Sequence, residues 1–352
     1  MSLGPFNAYK VLRNAGRMSM IANGAIIPPI TASVEPSSFC NLKCPYCNSK
    51  KFRAENQSKL PKDLLQRLPQ ELSIYGVKGV LFTGGGEPLS NPHLLPTFED
   101  YKRRGLDVGL ITNGTMFRSM DDFYDVVGSC SFVRISLDAI QNQTYQRMHG
   151  TKIDVAVVLR YIKELVKARS HSCNSKCKIG VSYLIDKDNL NEFDHAVKTL
   201  RELGINYVQV KPIFIPKSKF GKLREERDIV RSVVNKVKAK YEEGGFKVYF
   251  LDHYFEEGKA DYVRPYSVCL GHYLTANILS NGKLSICCQN IEKKEQWFGD
   301  LSKQSFKEAW ESEEHTEAAN NIKLAECKPC KFEESNKMLW AMKLPHEHEN
   351  FI

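Results

Sequence analysis

The chain has 352 residues, 42% hydrophobic and 26% charged, with a net charge of +9. That balance suits a globular protein with one large core, or a large and a small domain. No apolar run reaches the roughly 18–20 residues of a membrane span, and Met18 to Ile30 is broken by Asn23, Gly24, Pro28 and Pro29. No signal-peptide pattern opens the chain, so the sequence predicts a cytoplasmic protein that needs no membrane. The positive balance favours anionic partners. No arginine-rich block marks a nucleic-acid site, and lysines solvating helix faces account for the excess.

A lead-in over residues 1–32 carries a predicted helix from Phe6 to Met18. A β-prone run, Ile30 to Glu35, precedes the first cysteines. Lys62 to Tyr75 places Leu64, Leu65, Leu68 and Leu72 at helical spacing. Gly79 to Thr83 reads as a buried strand closed by three glycines. Helices near Leu94–Arg104, Asp121–Gly128, Val155–Ala168 and Leu190–Leu203 then alternate with strands. Those strands are Leu106–Thr112, Phe132–Leu137, Cys177–Ile185 and Tyr207–Ile213. Such alternation implies parallel strands joined by helical crossovers. Six units are too few for a closed eight-unit barrel and suit an open, partial one, with functional residues at the C-terminal strand ends. The predicted barrel covers residues 33–215. Residues 216–265 form a connection: a charged helical stretch from Lys217 to Tyr241, a break at Gly244-Gly245, and a strand from Phe246 to Leu251. Residues 266–352 form a smaller α+β unit.

The 11 cysteines are clustered, which in a chain without a secretion signal points to metal or redox chemistry rather than disulfides. Cys40, Cys44 and Cys47 have C-x₃-C-x₂-C spacing on one loop. A [4Fe–4S] cluster usually takes four thiolates. Three would leave one iron open, as catalytic metal sites are open. This loop after a first strand, with Tyr46 before its last cysteine, resembles the radical S-adenosylmethionine (SAM) superfamily. Thr83-Gly84-Gly85-Gly86-Glu87-Pro88 at the end of the second strand is similar to that family's GGE motif.

The resemblance implies a partial (β/α)6 barrel, a [4Fe–4S] cluster on Cys40, Cys44 and Cys47, and SAM bound at the open iron. It further implies SAM contacts from Tyr46, Gly84, Gly85, Gly86 and Glu87, and from the later strand ends at Asn113, Ser136, Asp138 and Asn189. The activity it implies is reductive cleavage of SAM to a hydrogen-abstracting radical, fed by an electron donor such as flavodoxin or ferredoxin.

The tail holds Cys269, Cys287, Cys288, Cys327 and Cys330. Asn281-Gly282 reads as a hairpin turn before Cys287, and Cys327 and Cys330 form a C-x-x-C. This order resembles the SPASM/twitch extension, which implies an auxiliary [4Fe–4S] cluster on Cys269, Cys287, Cys327 and Cys330. The G-x₄-C spacing favours Cys287 over Cys288. No cysteine follows Cys330, unlike the full SPASM pattern, so one auxiliary cluster is expected rather than two. The same four thiols would also make a structural zinc site. Cys130 reads as a core residue, and the loop with Cys173 and Cys177 as a minor metal candidate.

A closed auxiliary cluster has no open iron, so its simplest role is electron transfer. The expected reaction is therefore dehydrogenation of a small polar substrate, a sugar-like one among the candidates, with Tyr183, Lys211 or Asp252 as the base. Peptide maturation is the alternative; only 39 residues precede Cys40, too few for a leader-binding domain, which tilts the expectation toward a small molecule. Redox-neutral epimerisation or rearrangement stays open. A zinc-containing nucleic-acid binder is the remote alternative.

Overall fold

The computed structural model describes residues 4–172, 176–213, 220–257, 263–327 and 330–345. Seven strands run parallel in chain order: β1 (Thr31–Val34), β2 (Gly79–Phe82), β3 (Asp107–Thr112), β4 (Phe132–Ser136), β5 (Lys178–Ile185), β6 (Tyr207–Pro212) and β7 (Lys247–Phe250). Helices cross between successive strands, among them Lys62–Tyr75, Met120–Ser129, Val155–His171, Phe193–Glu202 and Phe220–Tyr241. This is the expected partial barrel, with β7 added beside β6.

The tail extends the same sheet. β8 (Thr275–Ile278) pairs parallel with β1, and β9 (Lys283–Ser285) and β10 (Trp297–Asp300) follow antiparallel. The order is β10-β9-β8-β1-β2-β3-β4-β5-β6-β7. β8 is four residues long and buried on both faces, so it carries no alternation for a sequence reading to find.

Strand parity decides what each side chain meets. Val80, Phe82, Val108, Leu110, Val133, Ile135, Val181 and Val208 form the outer rows and are buried under the helices. Phe82 stacks on Phe98 at 4.9 Å and meets Tyr101 edge-on at 5.2 Å. Fully burying such a side chain contributes roughly 1.5–3 kcal/mol relative to exposure.

The inner rows are polar. Arg134, Gly180 and Tyr207 share one rung of β4, β5 and β6. An added Cβ on Gly180 would lie 2.2 Å from the Tyr207 ring. Glycine therefore lets Tyr207 cross β5 and hydrogen-bond Arg134.

Phe6 closes the barrel from the N-terminal strand ends, with ring centroids 5.7 Å from Tyr207 and 5.2 Å from Tyr249, under the Arg134 guanidinium at 5.5 Å. The lead-in helix is displaced from its expected span. A 3₁₀ turn (Ala8–Asn14) is capped by the Asn7 side chain, and the α-helix runs Ala15–Ala22. Its Met18 and Ile21 pack with Leu274 and Leu339, tying the lead-in to the tail. Lys217 to Lys219 and Cys173 lie outside the described residues. Among the described residues no helix is long and apolar enough to cross a membrane.

Gly180→Ala drives a methyl into the Tyr207 ring. A loss of about 1–3 kcal/mol is expected from this overpacking, read as a lower denaturant midpoint; an unchanged midpoint contradicts the inner-face packing.

Candidate functional site

The loop after β1 is stapled at its base by Ser38 N–H to Ser58 O (2.9 Å) and Ser58 N–H to Ser38 Oγ (2.8 Å). Each of its three thiols meets a nitrogen. Cys40 Sγ lies 3.5 Å from Leu42 N and 3.8 Å from Asn113 Nδ2. Cys47 Sγ lies 3.8 Å from Arg53 Nη1, and Cys44 Sγ lies 3.5 Å from His149 Nδ1. Burial, with Asp138 next, pushes the Cys44 thiol up to about 12. Burial also raises Cys40. Such thiols keep their protons until a metal displaces them.

The glycine segment after β2 lies against this loop. Gly86 N–H bonds Ser37 O at 3.1 Å and Glu87 N–H bonds Phe39 O at 2.7 Å. A Cβ on Gly86 would lie 2.3 Å from Phe39 O, so only glycine permits the approach. This backbone cradle beside three half-buried thiols fits SAM and a cluster with an open position.

Two of the expected SAM contacts are used elsewhere. The Glu87 carboxylate is buried and accepts from Leu89 N (3.0 Å), Thr112 Oγ1 (2.5 Å) and Asn113 N (2.8 Å). It fixes the end of β3 and so orients Asn113, which bonds Asn41 at 2.9 Å. The Asn189 amide donates to Asp138 O and Leu184 O, both at 2.7 Å, and accepts from Asp186 N at 2.8 Å. Both side chains hold strand ends in place. Tyr46 reaches across to Asp186, 3.4 Å away. Asp138 adopts φ 59°, and its Oδ1 accepts from Leu184 N at 2.7 Å. Ser136, on the inner face of β4, stays half-buried.

The three proposed bases separate. Tyr183 belongs to the outer row of β5, where it packs on Phe193 at 5.1 Å and donates to Asn189 O at 3.3 Å. Burial raises its pKa. It does not reach the site. Asp252 is paired with Arg227 and Arg231. Lys211 is on the inner face, where burial and then Arg134 lower it to about 8.

Sequence reasoning missed Glu35. It follows β1 on the inner face, with Gly84 and Gly85 packed on it and Gly85 N–H donating to it. Its Oε2 is buried without a partner. Burial raises it to about 8, with Cys288 adding to the effect. Its position one residue past β1, on the parity of Ser33, was the available signal.

In the tail, Cys269, Cys287, Cys327 and Cys330 all line one cavity, and Cys288 does not. Asn336 Nδ2 lies 3.6 Å from Cys269 Sγ, Gln289 N 3.3 Å from Cys287 Sγ and Phe332 N 3.3 Å from Cys330 Sγ. A buried Arg264–Glu333 pair (3.2 Å), with Tyr266 Oη 2.7 Å from Glu333, braces the wall. Among the described residues no three Cys, His, Asp or Glu converge on a single metal ion. Four thiols around one cavity match the four ligands that a [4Fe–4S] cluster takes. Cys130 and Cys177 are buried in the core.

The radical SAM superfamily model matches residues 34–200, and the SPASM model, an iron–sulfur cluster-binding domain, matches residues 269–331. The tungsten-containing aldehyde ferredoxin oxidoreductase cofactor-modifying protein of Pyrococcus furiosus is 27% identical over 180 residues, covering 50% of this chain and 49% of that protein. Fe-coproporphyrin III synthase of Methanosarcina barkeri is 30% identical over 166 residues, covering 46% and 39%. The matched stretch thus spans half or less of each relative. In fold, the chain resembles Streptococcus suis SuiB bound to its precursor peptide SuiA (TM-score 0.66, 16% identity, 92% of this chain and 73% of that one). It also resembles anSMEcpe with bound AdoMet (TM-score 0.60, 17% identity, 86% and 87%).

After anaerobic reconstitution, iron counting is expected to give about eight irons per chain for two [4Fe–4S] clusters. Cys287→Ala should lower this to about four and Cys288→Ala should leave it near eight; the reverse pattern would exchange the two assignments.

Proposed function

Because the chain belongs to the radical SAM superfamily and carries a C-terminal SPASM extension, we propose that it dehydrogenates a small polar substrate held on the inner face of the barrel. One observation carries the oxidative reading: four thiols, with none left over, line the tail cavity. When bound, SAM and its cluster supply a carbon radical that removes a hydrogen atom, and a fully ligated second cluster supplies a one-electron acceptor. Cys40, Cys44 and Cys47 would hold the first cluster, and Cys269, Cys287, Cys327 and Cys330 the second. A flavodoxin or ferredoxin would deliver the starting electron.

The protein must also take a proton from the substrate. Glu35 lies between the glycine cradle and the Cys288 segment, with one oxygen free. We assign it that role. Its carboxylate form accepts the proton, so the rate rises as pH rises through about 8. The names of the curated relatives include a porphyrin synthase and GTP cyclases, which favours a small molecule over a peptide. The inner wall offers amide, hydroxyl and ammonium groups and does not single out a sugar.

Three measurements test this. Replacing Cys40, Cys44 and Cys47 by Ala should abolish reductive formation of 5′-deoxyadenosine; persistence refutes the primary site. Incubation of the enzyme, SAM and reductant with a metabolite extract should yield a product lighter than its precursor by two hydrogens. A product of unchanged mass would mean isomerisation. Glu35→Gln should lower product formed per 5′-deoxyadenosine by about 10²-fold or more and remove the rise near pH 8; an unaltered ratio and profile exclude Glu35.

A further inference from the structure

The inner rows of β4, β5 and β6 carry polar groups that the fold leaves unpaired. Ser136, Ser182 and Gln209 share one rung, and Lys211 stands on the next beside Leu184. The Gln209 Oε1 is buried and accepts no hydrogen bond. A buried acceptor without a donor is costly, and native structures rarely tolerate one unless a water or ligand completes it.

Lys211 stands on the same inner face with opposite polarity and is half-buried. Among the described residues it makes no hydrogen bond and no ion pair. The nearest acid in electrostatic reach, Asp138, is already engaged by Leu184 N at 2.7 Å and lies 3.6 Å from His149. Two more positive charges bear on Lys211. Arg134 lies two rungs below, and Lys331 comes from the tail, where it also bonds Cys288. The wall therefore sets three positive charges against the single acid Asp138, an arrangement that binding an anion relieves.

We propose that Lys211 and Gln209 form the recognition site for a small carboxylic acid substrate, Lys211 pairing with the carboxylate and Gln209 Oε1 accepting from a hydroxyl or amine nearby. This rests on the reading that substrate occupies the inner face. Residues two apart on a strand are about 7 Å apart, which suits a hydroxy acid or amino acid of a few carbons. Ser136 and Ser182 offer hydroxyls on the Gln209 rung. A carboxylate fits better than a phosphate, since this wall has no glycine-rich backbone cradle of N–H donors. An ammonium paired with a carboxylate keeps its proton, which removes Lys211 from the set of bases and leaves that part to Glu35.

The test is competitive acetylation of lysines in the reconstituted, SAM-loaded protein, with Lys211 followed by mass spectrometry. The probes are L-malate, its neutral diamide and glycerol 3-phosphate. Malate near ten times its dissociation constant should slow Lys211 acetylation about tenfold, by simple occupancy, while the diamide gives no protection. Gln209→Leu should weaken the malate effect.

Equal protection by the diamide, protection by glycerol phosphate alone, or no protection overturns the proposal. So does a Lys211 inert to the reagent. Protection by SAM alone, with nothing added by malate, would assign Lys211 to the SAM carboxylate and also overturn it. Reductive SAM cleavage is measured on the same preparation. Cleavage without protection defeats only this inference, whereas absent cleavage defeats the underlying function.

Discussion

The pairing of β8 along β1 is the constraint on which the site depends. Thr31 to Val34 align in register with Thr275 to Ile278, and Glu35 N–H continues the ladder to Ile278 O at 2.8 Å. The two strands are 241 residues apart at their closest numbering, so this contact closes a very long loop, whose entropy cost grows only slowly with length. Its effect is to make the first cysteine loop and the tail neighbours in one sheet. β1 leads into Cys40, while β8 and β9 lead into Cys287. Without this pairing the two thiol groups would be separate metal sites, with nothing fixing one relative to the other.

The same pairing accounts for Glu35. One residue past β1, it is covered by the glycine segment from β2 on one side and reached by the Cys288 segment on the other. The first follows β2, beside β1, and the second follows β9, one strand beyond β8. A carboxyl enclosed this way stays protonated near neutral pH because little around it solvates a negative charge. Across the barrel the balance is inverted: Lys211, Arg134 and Lys331 enclose positive charge. The inner face is thus polarised between a buried carboxyl near β1 and a positively charged wall near β6.

Features set by short stretches of sequence were legible. The three-cysteine loop, the triple glycine and the tail C-x-x-C are local, and the helix–strand alternation follows from periodicity. What was lost depends on pairing or parity. β8 has no alternation to read. Tyr183 was taken as a site residue, although its alternates Ile179, Val181 and Ile185 are all apolar, which already placed it on the helix-covered row. Asp252 looked like a free acid because its arginine partners lie 21 and 25 positions earlier on another element. Gln209 gained meaning only once its rung with Ser136 and Ser182 was known.

Glu87 and Asn189 spend their side-chain polar atoms on holding strand ends. A continuous chain of contacts runs over the strand ends from Cys44 to His149 Nδ1, and from His149 Nε2 to Leu137 O at 2.7 Å. It continues through Asp138 to Asn189, Asp186 and back to Tyr46 in the same cysteine loop. Because His149 Nε2 must carry the proton that Leu137 O accepts, Nδ1 is left as the acceptor facing the Cys44 thiol. Glu87 does the same service on the other side, fixing Asn113 against Cys40. The cysteine loop has little regular structure of its own, so its geometry is borrowed from β3, β4 and β5 through these side chains. Polar residues around the site therefore divide by what their atoms already hold: the fully bonded ones set the loop's shape, whereas Glu35 and Gln209 each keep a buried oxygen without a partner.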